Sequence, residues 1–385
     1  MTGPVGGLTR QMMLKAEATY NTLAAFAAGD AVDLIDLKIE PDIKFNQQQS
    51  HVGTSSVQGH IAENHENKWS LESYIAPGAA GVAPDIGPLI EHAFGKAGTV
   101  VASTSVAYNL ADAVPTTGLQ LGLVAGYGPE SLEYANGAWC EQLSIECASG
   151  EEPKITASGG FGGYGFAFQG AVTSGIEAIG QTTITLAAGG GKRLRVPCLV
   201  AFGAEDNSDA GYAVTAISAD EITISPGLVA TVADGTAVIP YAIAGTRTGT
   251  PCTGVAGSFS LGGASFEFLK AKINLATGIK PIWSGTAAVP TRLMQDARVV
   301  TGEIEIVEIN TTTAKTAAAW DNTRQAIIIR FGAATAAAHW TFTVPAALVM
   351  VPKAGWADGD AKKLTLSFTA EMSAAAADEM TSIFD

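Results

Sequence analysis

A chain of 385 residues is long enough for two or three cores. Hydrophobic residues make up 47%, charged residues only 15%, and there are 44 glycines, so little surface is defended by charge and much of it is expected to be hidden in an assembly. The 22 Lys and Arg against 37 Asp and Glu leave a net charge of −15, which excludes a surface that grips nucleic acid and fits one that repels it.

Taken in chain order, the first thirty residues have no uninterrupted apolar core of signal-peptide length, because Lys15, Glu17 and Asn21 break it. No stretch approaches the roughly 18 apolar residues of a membrane span, and a soluble chain made in the cytoplasm is expected. From about residue 32 the pattern has period two, the mark of half-buried strands. In "LIDLKIEP" Leu37 and Ile39 oppose Asp36, Lys38 and Glu40; "NQQQSHVGTSSVQGH" reads as a long loop; "NKWSLESYI" alternates again. "APDIGPLIEHAFGK" predicts a short helix, with Pro88 in its first turn and Gly95 ending it. "TSVAYNL", "LQLGLVAGY", "SLEYANG", "CEQLSIECAS" and "PKITASG" read as the strands that follow.

The far end of the chain repeats this format. "FLKAKINLA" matches "LIDLKIEP", the loop 277–296 follows, then the strand "ARVVTGEIEIVEIN", a helix over 313–326, and closing strands in "IIIRFG", "HWTFTVPAALVMV" and "KKLTLSFTAEM". Between the copies, short strands separated by turns such as Asp234-Gly235 and Pro226-Gly227 read as an inserted all-β module. The expected organisation is an N-terminal arm over 1–30, a first repeat over 31–168, the insertion over 169–257 and a second repeat over 258–385.

Catalytic chemistry finds little support. "GGFGGYGF" at 159–166 satisfies G-x-G-x-x-G through Gly160, Gly162 and Gly165, but the helix that would present N–H groups to a pyrophosphate does not follow it. "GGGKR" lacks the Ser or Thr of a P-loop. His60, Glu63, His65 and Glu66 crowd together without metal-ligand spacing. Cys140 and Cys147 stand an odd number of residues apart on one strand, which points them to opposite faces, and all four cysteines read as buried or half-buried free thiols. There is no G-x-S-x-G elbow. No cofactor and no enzymatic activity are expected. In "TGEIEIVEIN" Glu303 and Glu305 alternate with Ile304 and Ile306, giving either an ordinary solvated sheet face or an acidic wall along a pore.

The segments "KAEATYNTLAAFAAGDAVDLIDLKIEP", "KWSLESYIAPGAAGVAPDIGPLIEHAFG" and "ARVVTGEIEIVEI" through "DGDAKKLTLSFTAEM" resemble the tail tube (major tail) proteins of long-tailed bacteriophages. Glu17, Tyr20, Trp69, Pro84, Asp85, Phe94 and Gly95 fit the family's pattern, while Asn21 stands where glycine is usual; the resemblance covers about 1–165 and 258–385. It implies a mainly β fold of duplicated tail-tube β-sandwich or barrel units, each with one flanking helix. It also implies rings of three duplicated chains, or six, stacked into a tube in the virion tail, with the arm and the long loops at 46–60 and 276–292 joining rings. The implied partners are further copies, a tape measure protein, and tail terminator and distal tail proteins. Double-stranded DNA passes through without specific binding, and no membrane is involved. On this reading Glu66, Glu72, Glu303 and Glu305 face the lumen, and the insertion decorates the exterior of a flexible, non-contractile tail. The competing reading is an extracellular β-rich binding or adhesin-type protein.

Overall fold

The computed structural model describes residues 10–24, 26–32, 34–42, 45–47, 60–62, 66–112, 117–125, 131–208, 210–241, 252, 257–284, 289–307, 318–333, 339–350, 353–355, 363–372 and 379–385. The fold is mainly β. Alternating segments pair as antiparallel strands whose apolar faces meet between two sheets.

The first half of the chain gives β1 (Arg10–Ala16), β2 (Leu34–Glu40), β3 (Lys68–Tyr74), helix α1 (Gly87–Phe94), the hairpin β4 (Thr99–Val101) and β5 (Ser105–Asn109), then β6 (Leu119–Ala125), β7 (Ser131–Ala148), β8 (Lys154–Gly160) and β9 (Gly163–Phe168). The second half gives β10 (Ser258–Leu261), β11 (Phe268–Ala276), β12 (Val299–Val307), β13 (Gln325–Gly332), β14 (His339–Val349), β15 (Lys353–Gly355), β16 (Lys363–Glu371) and β17 (Thr381–Phe384).

The same strand order occurs twice. One inner sheet runs β2-β3-β8-β7 and continues as β11-β12-β16, ending on β14 and β15. Two outer sheets run β1-β6-β7-β9 and β10-β13-β14-β17. Strands β7 and β14 belong to both layers, and each changes layer at a bulge. In β7 the pairing with β6 slips between Ala135 and Ala138, and in β14 the pairing with β13 slips between Val344 and Ala347. Residues 10–16, assigned to an arm by sequence, are thus an outer-sheet strand in full register with β6, with Met13 and Leu14 buried.

Other expectations change. "SLEYANG" and "CEQLSIECAS" are one 18-residue strand rather than two. A second bulge between Cys140 and Gln142 shifts the alternation by one residue, so Cys140 and Cys147 share the buried face instead of opposing faces. The helix expected over 313–326 appears in its described part only as a turn at 318–320, and Gln325 already begins β13. The loop at 277–296 contains a hairpin pairing Ile279–Ile282 with Arg292–Gln295. In the loop 46–60, Phe45–Gln47 pairs with His60–Ala62, and residues 48–59 lie outside the described residues.

Helix α1 starts as read, with Pro88 in its first turn, and Gly95 closes it at φ 75°, a left-handed conformation that glycine adopts freely. The insertion forms a six-stranded sheet between Ala171 and Pro240. Its core is continuous with the first repeat: Met13, Phe26, Leu132, Tyr134 and Ala167 pack among Val200, Phe202, Tyr212 and Ile224. Leu194–Arg195 also pairs with β9, so the sheet is seated on the first outer sheet, on the side away from the inner sheet.

Candidate functional site

The inner sheet buries one face and turns the other to solvent. Reading across its register, one row holds Asp36, Glu72, Thr156, Ser144, Asn274, Thr301 and Thr369, and the next holds Tyr74, Lys154, Glu146, Lys272, Glu303 and Ser367. Lys270, Glu305 and Thr365 begin a third. This face is concave: an open depression of about 280 Å³ is lined by Asp36, Lys38, Ser70, Glu72, Gln142, Ser144, Thr156 and Ser158. A second, of about 520 Å³, lies against Glu40, Lys68, Trp69, Trp139, Glu141 and Trp283.

The sheet therefore brings Glu72, Glu303 and Glu305 onto one surface. Glu66 precedes β3 in an exposed connection, where its N–H donates to the Asp42 carbonyl. His60 lies in a separate two-stranded hairpin, while Glu63 and His65 lie outside the described residues. No group of three or more metal-ligating side chains occurs among the described residues.

The face that carries Glu303 and Glu305 has mixed charge where the sharper expectation had an acidic one. Cross-strand pairing sets lysines beside the carboxylates: Lys154 with Glu72 at 3.0 Å, Lys270 and Lys272 with Glu146, and Lys363 with Glu305 at 3.7 Å. Lys272 stands directly opposite Glu303. The Lys270 ammonium holds the Glu146 carboxyl below its ordinary range, and Glu72 raises Lys154. Such solvated pairs contribute little to stability, so their consequence is the charge pattern they present. The even-numbered lysines of "FLKAKINLA" are legible in sequence, but their partners lie on other strands and only the register reveals them.

Glu17, Asn21 and Trp69 converge where β7 crosses between layers. The Glu17 carboxylate accepts N–H bonds from Gly137 at 2.6 Å and Asn21 at 2.8 Å, gripping the bulge. Burial pushes its pKa up to about 7, opposed by those backbone N–H groups. Asn21 has φ 58°, a left-handed conformation that asparagine tolerates better than most residues, and its Oδ1 accepts from Asn136. Trp69 is buried and its Nε1 donates to the carbonyls of Trp139 and Gly160.

The glycine run closes the same corner. A Cβ at Gly159 would collide with the Trp139 carbonyl, and one at Gly165 with that of Pro197. The second half of the run lies in strand β9, where a nucleotide loop needs a helix, so these glycines serve close backbone packing. No known family model and no curated protein sequence matches the chain.

Proposed function

We propose that the chain is a structural subunit that closes into rings and stacks into a tube for double-stranded DNA, as a tail tube protein of a long-tailed bacteriophage does. One observation carries this reading: the first repeat is joined to the second edge to edge, through β7 and β11, and the sheet ends on the corresponding strands. The outer edge of β2 corresponds to that of β11, the edge at β15 continues β14, the counterpart of β7, and no described strand pairs with either.

Unpaired edges of matching type favour a further copy in the same head-to-tail relation, and such heterologous contacts close into rings when the rotation permits. With eight inner strands per chain, counting β14 and β15 as one, a ring of three chains has six repeats. The polar face then lines the channel, and the inserted sheet lies on the exterior. Hydroxyls, amides and neutralised lysines offer few free cations, so a duplex gains little from counterion release and slides through hydrated space. Tape measure, terminator and distal tail proteins are the partners this role requires.

Negative-stain electron microscopy of the concentrated full chain is the test. Tubes of uniform width with a regular axial repeat are expected; a chain that stays monomeric, or forms fibres without a channel, would overturn the proposal.

A further inference from the structure

We propose that the helical turn at Ala318–Trp320 docks on an aromatic ladder in β9 of a second copy, forming an outer-layer contact between chains; this rests on the ring reading above. The ladder is Tyr164, Phe166 and Phe168, with ring centroids 6.1 Å and 4.9 Å apart along the strand. Register places these rings beside Ala135, Glu133 and Ser131 and, one strand further, Leu121, Leu123 and Ala125. Ala135 and Leu121 belong to the core, so the ladder lies on the side of the outer sheet that faces the sandwich interior. Yet Phe168 is 38% exposed and Phe166 half-buried: the apolar face extends past the part that the chain itself covers.

The second repeat shows what such a position requires. Its equivalent strand, β17, has Phe384 buried to 2%: Trp340 of β14 stacks on it at 4.4 Å, and β5 pairs alongside with Tyr108 meeting Phe384 edge-on at 5.9 Å. The β5 cover comes from the segment between β3 and β6 of the first repeat. The second repeat's own segment in that place, between β12 and β13, carries Ala318–Trp320. Ala319 is buried and anchors the turn, whereas Trp320 is 72% exposed. The step that carries the first repeat onto the second carries the second repeat's segment, and this turn with it, to the next chain's β9, where Leu194–Arg195 pairs with Phe166 and Ala167 and leaves Phe168 open. A large exposed aromatic then meets Phe168 and the uncovered part of Phe166, the pairing from which interface hot spots are built.

The full chain tests this with Trp320→Ala and, separately, with a Trp320→Cys/Phe168→Cys pair treated with a short bismaleimide. Trp320→Ala should leave the monomer's unfolding midpoint unchanged and raise the concentration threshold for ring or tube formation by about tenfold or more. The cysteine pair should give covalent multimers between chains. Wild-type rings with an unchanged Trp320→Ala threshold and no interchain cross-link would overturn the contact and leave the ring reading standing. Absence of rings in the wild type would overturn both.

Discussion

Gly159 shows how a residue type can be needed for space alone. Its backbone angle lies outside the left-handed region, yet a methyl group there meets the Trp139 carbonyl of the neighbouring strand. Gly29, with nothing within 4 Å of its would-be Cβ and no positive φ, is the matching control. Gly159→Ala should destabilise the fold by about 1–3 kcal/mol, the usual cost of overpacking, and Gly29→Ala by a few tenths at most. Chemical denaturation of the two variants checks this. The sequence supplied the run of glycines; the reason for them lies on strands about twenty to thirty residues away in the chain, so a cofactor-loop pattern and a packing pattern look alike until the strands are placed.

Among the elements, the 18-residue β7 organises the first repeat, and its bulge at Asn136-Gly137 is where the chain changes sheets. Glu17 holds that bulge with a carboxylate that burial raises from 4.5 to about 7. For a raised carboxyl the sign is fixed: its contribution is fully present below pH 4.5, shrinks as the unfolded chain ionises, and is lost above about 7. His92 acts in the opposite direction. Burial lowers it to about 4, so its contribution holds above pH 6.5 and is lost as pH falls toward 4. Glu17→Gln replaces one N–H acceptor by a donor and should cost about 1–3 kcal/mol near neutral pH. Its unfolding midpoint should also lack the decline that Glu17 imposes on the wild type between pH 4.5 and 7. Thermal scans across that range decide, and parallel curves for the two proteins would exclude the coupling.

At the scale of the whole molecule, the polar face of the inner sheet is a balanced surface, and its behaviour towards DNA depends on that balance. Converting Glu303 and Glu305 to Gln leaves Lys270, Lys272 and Lys363, on the two strands that flank β12, with less opposing charge. Stability should change by less than about 1 kcal/mol, because these groups are solvated. Assembled tubes of the double variant should retain duplex DNA at low salt and release it as salt rises, read by co-sedimentation; retention equal to wild type would show that these side chains do not line the channel.

Sequence by itself determined what depends on near neighbours along the chain. Period-two alternation gave the polar and apolar faces of β2, β3, β11 and β12; Pro88 and Gly95 bounded α1; and the recurrence of "LIDLKIEP" in "FLKAKINLA" marked two halves of one format. Tertiary structure alone decided what depends on strands distant in sequence. Bulges slipped the alternation and turned Cys140 and Cys147 to one side, long-range register set lysines beside the glutamates, and β1 joined the first outer sheet instead of forming an arm. Side-chain periodicity is a local property of the backbone, whereas a strand's partner, and hence the charge beside each of its residues, is chosen by the packing of the whole sheet.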